Sequence, residues 1–218
     1  MKKILSLLLV AIFAFVSSGS VFADQSQLPH VNGVATLSVG PNNNVQGNLT
    51  LESRKVTVVP SPTASTRSAS TTYQVEETYS GFASIAPDGT AEILSSYPST
   101  SSQSEQNVYW KATVSVTYLH DDSTRHYFTL LNASGSWVQL RGTSTLANRT
   151  VYYALNTATG GDSAYQYPTT NTFSYDANFG PYDGARETGL GCSSDVDIIL
   201  QSGLTSSLYA NVGVFPLA

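Results

Sequence analysis

The chain has 218 residues and a formal net charge of −5, and charged side chains make up only 11% of it. So few Lys and Arg residues leave no means of neutralising a phosphate backbone, and no nucleic-acid partner is expected. Ser and Thr fill the gap to the roughly 25% charge of an ordinary soluble domain, with 51 of the 195 residues that follow position 23. They favour strands and turns over helix interiors, which points to an all-β class.

Met1 to Ala23 reads as a secretory signal peptide. Lys2 and Lys3 form its positive start, Ile4 to Val16 an apolar run, and Ser17 to Ala23 a small-residue end, so cleavage is expected between Ala23 and Asp24. The 13 apolar residues fall short of the roughly 20 that cross a bilayer. No later stretch is longer, so the mature chain is expected to carry no transmembrane segment and to be secreted. Losing Lys2 and Lys3 takes the basic count from 10 to 8 against 15 acids, a mature net charge of −7. Cys192 is the only cysteine, so the exported domain must hold together through its core. Export without disulfides fits a Gram-positive bacterium. Leu190-Gly191-Cys192 lies too far from the signal peptide to serve as a lipid-attachment box.

From Asp24 the chain opens with short strand candidates. Ala35, Leu37 and Val39 alternate, Gly40 to Asn44 breaks the pattern, and Val45, Leu49, Leu51, Val56 and Val58 resume it. Residues 24–59 are too few for a core of their own and are expected to pair with the main sheet. Residues 60–72, rich in Ser, Thr and Pro, read as a linker or long loop. The main domain spans 73–218. In it, Pro87-Asp88-Gly89 is a turn, across which Ile85 and Ile93 are expected to face each other.

Val108 to Tyr118 is the clearest strand. Val108, Trp110, Ala112, Val114, Val116 and Tyr118 form one wall, and Tyr109, Lys111, Thr113, Ser115 and Thr117 the other. A polar run through His126 separates it from Tyr127, Phe128, Leu130 and Leu131, which predicts an antiparallel hairpin. Only a second layer can cover the apolar wall, so the expected fold is an antiparallel two-sheet sandwich, Ig-like or jelly-roll-like, of eight to ten strands. Val151, Tyr153 and Leu155 mark a further strand, and Val196 to Val214 a closing hairpin.

Residues 157–194 show no clean alternation. Glycines and prolines punctuate them, and they hold Tyr165, Tyr167, Phe173, Tyr175, Phe179 and Tyr182. They are expected either to plug one end of the sandwich or to form a functional loop.

The Tyr-Trp strand, the hairpin into Leu131 to Trp137, the Tyr-rich return strand and the segment Asn171 to Phe179 together resemble uncharacterised exported all-β proteins of Gram-positive bacteria. The resemblance covers about Val108 to Asn178 and carries no activity or site residue.

For chemistry, His120, Asp121, Asp122 and His126 cluster at the hairpin tip, where imidazole and carboxylate suit a divalent metal, but their spacing matches no zinc motif. Asp162, Asp176, Asp183 and Glu187 are oxygen donors of the kind calcium takes, and Asp176 and Asp183 are the candidate ligands. No other cofactor is implied. Cys192 reads as a small buried thiol and not a nucleophile, and no Gly-x-Ser-x-Gly motif is present. The expected function is an exported, non-catalytic module that binds carbohydrate or a cell-surface protein, with Tyr165, Tyr167, Tyr175 and Tyr182 on the sandwich rim as ligand contacts. The alternatives are a secreted hydrolase and a membrane-acting β-hairpin toxin, in which Trp110 and Tyr118 would mark the two bilayer interfaces.

Overall fold

In the computed structural model, which describes residues 31–60, 70–99, 104–122, 127–157, 160–183 and 189–216, the alternating stretch that opens at Val108 is one strand running to Asp121. Its partner Tyr127–Arg141 returns antiparallel to it. In chain order the strands are β1 Val31–Gly40, β2 Val45–Asn48, β3 Thr50–Val59, β4 Thr72–Ile85, β5 Ala91–Leu94, β6 Val108–Asp121, β7 Tyr127–Arg141, β8 Ser144–Thr157, β9 Gly160–Gln166, β10 Thr172–Asp183, β11 Gly189–Leu200 and β12 Thr205–Pro216. The first sheet has the order β2-β1-β12-β11-β8-β9, and the second β10-β7-β6-β4-β3, with β5 also on β4. Every pairing is antiparallel.

The fold is therefore an all-β sandwich, and alternation decides which side chains lie inside it. On β6, Trp110, Val114, Val116 and Tyr118 are buried between the layers. The first sheet meets them with Leu37, Val151, Leu155, Val196, Ile198 and Val212, all in one hydrophobic cluster. Fully burying each aliphatic side chain contributes about 1.5–3 kcal/mol. Trp110 and Tyr118 lie wholly inside, so core packing accounts for the residues that a transmembrane hairpin would place at its interfaces.

Residues 31–59 divide between the layers: β1 lies against β12, and β3 against β4. The β4–β5 hairpin pairs Ile85 with Ala91 and Ala83 with Ile93, so the two isoleucines are offset and not opposed. The signal-peptide cleavage point Ala23 and Asp24, the run 61–69, His126 and Glu187 lie outside the described residues.

The largest correction concerns residues 157–194. Their described residues are not an end plug but form β9, β10 and the start of β11, with a short connection at 167–171, which raises the strand count to twelve among the described residues. β9 and β10 form the edges of the two sheets on one side of the sandwich. There Phe173, Tyr175 and Phe179 of β10 turn inward. Tyr153 of β8 stacks on Tyr175 and Phe179 with ring centroids 5.9 and 5.6 Å away, and Phe173 packs 5.2 Å from Trp137. The Tyr182 hydroxyl donates to Asp162 Oδ2 of β9 at 2.9 Å, which ties the two edges together and holds the Tyr182 phenol above its usual range. These aromatics close a side of the sandwich, not an end.

The outer face of the second sheet is a regular polar field. Ser174, Ser134, Ser115, Thr78 and Ser53 follow one another in register across five of its six strands, and Thr78 Oγ1 and Ser115 Oγ are 2.8 Å apart. Such cross-strand hydroxyl pairs suit a solvated face.

Candidate functional site

The two outer faces differ in charge. Glu52, Lys55, Glu76, Lys111 and Asp176 are scattered over the second sheet, whereas the six strands of the first carry only Arg149, Asp162, Asp195 and Asp197. Asp162 faces inward to Tyr182. The outward face of the first sheet is thus uncharged apart from two neighbouring acids on β11 and Arg149 at its end.

That face carries exposed apolar and aromatic side chains instead. Val34 is 49% exposed, Phe215 44% and Tyr165 62%. Tyr165 pairs in register with Tyr152, their ring centroids 4.6 Å apart. Between this tyrosine pair and Phe215 the outward positions of β11 and β12 are glycines, and Gly191 and Gly213 stand directly opposite each other. With no side chain at either, the surface sinks into a groove of about 300 Å³ lined by Tyr152, Ala154, Asn156, Ser193, Asn211 and Phe215 among others. A Cβ on Gly189 or Gly213 would come within 2.9 or 3.1 Å of the Phe215 ring. A side chain at either glycine would make that ring shift.

The next outward residue of β11 beyond Ser193 is Asp195, opposite Tyr209 of β12 and Thr150 of β8. A bulge follows: β8 places Asn148 and Arg149 opposite Val196 alone, with Asn148 at φ 49°. Bulges redirect side chains. Here Asn148 Nδ2 donates to Asp197 Oδ2 at 2.7 Å, and Ser207 Oγ donates to Asp197 Oδ1 at 3.5 Å. Arg149 turns away and donates to Asn171 Oδ1 from Nε and Nη2 at 3.2 and 2.7 Å. Asp195 Oδ1 is buried without a hydrogen-bond partner, and burial, then the charge of Asp197, raise its pKa above the ordinary aspartate value. The folded chain therefore holds that proton more tightly than the unfolded chain. The stability this gives is present below the ordinary aspartate pKa of about 4 and is lost as pH rises through the folded value. Asp195→Asn is accordingly expected to melt higher than the parent at neutral pH and at the same temperature in strong acid, as differential scanning calorimetry across pH would record.

The rim tyrosines of the sequence reading separate. Tyr165 lies on the groove face, and Tyr167, 73% exposed, borders a depression of about 550 Å³ with Asn148, Arg149 and Pro168. Tyr175 and Tyr182 are half-buried on the inner side of β10. Asp176 accepts a hydrogen bond from Asn132 Nδ2 at 3.2 Å. Asp176 and Asp183 pair with Asn132 and Tyr127, five residues apart on β7, which separates them by about 16 Å. They do not converge on one ion, and no group of three metal-ligating side chains occurs among the described residues. His120 is buried and stacks on Phe128 at 4.5 Å, so it does not point outward at the hairpin tip, while Asp122 accepts the Thr71 backbone N–H. Cys192 lies on the inner side of β11, its thiol pushed up to about 12 by burial, which fits the buried-thiol reading.

A second cleft, about 470 Å³, opens where β3 leaves the edge of β4 and β5 takes its place. Its polar groups already serve one another. Lys111 Nζ and Ser80 Oγ donate to Glu52 Oε1 at 2.6 and 2.7 Å and, Lys111 foremost, lower the Glu52 pKa.

Sequence reasoning missed Tyr152, Gly191, Gly213, Phe215 and Asp195. A signal was present, since glycine at outward strand positions in Gly189-Leu190-Gly191-Cys192 and Val212-Gly213-Val214-Phe215 marks a surface without side chains. No family model, curated protein or solved structure matches the chain.

Proposed function

We propose that the chain is an exported, non-catalytic binding module that holds carbohydrate on the outer face of its first sheet. One observation carries this reading: a glycine-floored groove lies between exposed aromatic rings on a face almost free of charge. Aromatic rings stack on the apolar faces of sugars, and Asn156, Ser193 and Asn211 place amide and hydroxyl groups where sugar hydroxyls need partners. A flat protein partner fits less well, because the apolar side chains are few and a groove divides them. Export rests on the signal peptide read at residues 1–23, and the absence of a disulfide suits a Gram-positive host.

The test is retention of the purified chain, begun at Asp24, on insoluble chitin, cellulose and Gram-positive cell wall. Retention on at least one is expected, weakened about tenfold or more by Tyr165→Ala and by Phe215→Ala, since stacking contacts of this kind are worth about 1.5 kcal/mol. Retention on none of the three, or retention indifferent to both substitutions, would sink the reading.

A further inference from the structure

We infer that the glycan held in the groove is a straight, unbranched and uncharged chain that crosses the strands from β9 to β1, gripped along its interior and not at its end. The inference rests on the binding reading above and specifies its ligand class.

Register sets the direction of the groove. Ser163, Ala154, Gly191, Gly213 and Val34 stand opposite one another in turn on β9, β8, β11, β12 and β1, so the lowest positions of the face fall in one line at right angles to the strands. Strand spacing makes that line about 19 Å long, a length of about four sugar rings end to end. One outward step to one side, Tyr165, Tyr152, Ser193, Asn211 and Thr36 form a second line in the same register. On the other side stand Asn156 of β8 and Phe215 of β12, whose ring lies over Gly189 and Gly213 and so leans toward the trough. Tyr165 and Phe215 are three strands apart on opposite walls, about 20 Å at the backbone. No single sugar ring touches both, whereas a chain of several does. Neither end of the trough is walled among the described residues. β9 is the last strand of its sheet and Ser163 is exposed, and β2 pairs only with Thr36 to Val39, which leaves Val34 49% exposed. A closed pocket selects a chain end, and an open trough takes the interior of a chain. No position on these lines carries a charge. A uronate would find no cation within them and an amino sugar no anion, while the Ser193 hydroxyl and the amides of Asn156 and Asn211 offer donors and acceptors to neutral hydroxyls. Branches would run into the tyrosine line on one wall or the Phe215 ring on the other.

The measurement is isothermal titration of the full mature chain with β-1,4-linked oligomers of glucose and of N-acetylglucosamine, two to six rings long. For at least one series the affinity is expected to rise about tenfold between two rings and four, the worth of one further stacking contact, and to level off beyond about five rings. Reducing the terminal ring of the six-ring oligomer to its open-chain alditol should leave binding unchanged, because the chain ends lie outside the trough. Oligogalacturonates of the same length should bind about tenfold weaker or less well still, since their carboxylates would be desolvated without a partner. Ser163→Arg sets a bulky side chain across one exposed end of the trough and should abolish the gain from length, whereas Ser134→Arg, on the opposite sheet, should leave it intact. Melting curves check that each variant is folded. If two-ring and six-ring oligomers bind alike, or if the alditol no longer binds, the groove takes a single sugar or a chain end, and the inference fails while the carbohydrate reading stands. The same follows if the chain is retained on chitin, cellulose or cell wall but binds no oligomer of either series. If it binds no oligomer and is retained on none of the three, both fail. If size-exclusion chromatography instead shows a dimer that Phe215→Ala dissolves, the occupant of the face is a second copy of the chain and both are overturned.

Discussion

Trp110→Ala is expected to lower unfolding stability by about 3–5 kcal/mol, as large a loss as one core side chain gives. Trp110 is 2% exposed and sits mid-sheet on β6, opposite Ala83 of β4 and Gln139 of β7. Ala83 is small, and the indole packs within the shared hydrophobic cluster between the layers. Truncation removes the transfer term and leaves a cavity that two hydrogen-bonded sheets cannot close by collapsing. Against a total of about 5–15 kcal/mol the melting temperature should fall by about 10 °C. Trp110→Phe should cost much less, because the indole N–H it removes has no hydrogen-bond partner. Urea unfolding followed by circular dichroism separates the cases, and an alanine variant as stable as the parent would mean that the layers do not enclose this side chain.

Arg54→Ala comes next, with an expected loss of about 3 kcal/mol. Glu77 faces inward from β4 and its side chain is only 6% exposed, and among the described residues its carboxylate has one cation, Arg54, whose Nε lies 3.0 Å from Oε1. That N–H is not aimed at the carboxylate, so the contact is between charges more than it is a hydrogen bond. Glu77 Oε2 accepts from the Tyr79 hydroxyl at 3.0 Å. Burial first, then the charge of Glu77, raise both the Tyr79 and the Tyr118 phenols well above their usual range, so these rings remain donors and never share the negative charge. Removing Arg54 leaves a carboxylate among neutral groups in a partly dry site. The double variant Arg54→Ala with Glu77→Gln should recover more than half of the loss, because it no longer strands a charge. Equal stability of the single and double variants would show that the arginine contributes only its hydrocarbon stem.

How far the sequence foretold this structure depended on whether apolar alternation was visible. It was visible in β6, where every second residue from Val108 to Tyr118 is apolar, and in the closing hairpin, where Val196 pairs with Leu208. In β10 it was present but masked: Phe173, Tyr175, Ala177 and Phe179 alternate with Thr172, Ser174, Asp176 and Asn178, yet the flanking glycines and prolines read as loop. β9 gave almost no signal. An edge strand that turns Asp162 and Ala164 inward and Tyr165 outward inverts the usual pattern, and only the partners Tyr182 and Tyr152 account for it.

The groove was harder to foresee for a different reason. It is made of missing side chains on two strands, Gly191 and Gly213, and of rings from two others, Tyr152 and Tyr165, together with Phe215 of β12, and their adjacency depends on register between β9, β8, β11 and β12. Of the four tyrosines singled out in sequence, Tyr165 lies on this face, Tyr167 borders a separate depression, and Tyr175 and Tyr182 turn inward.

The claim on which everything functional depends is that ligands meet the outer face of the first sheet. Backbone amide chemical shifts of the isotope-labelled chain, titrated with the oligosaccharide it retains best, test this residue by residue. Perturbations gathered at Tyr152, Gly191, Asn211 and Gly213 are what the groove requires, and perturbations confined to Ser115, Ser134 and Thr78 on the hydroxyl face of the other sheet would contradict it.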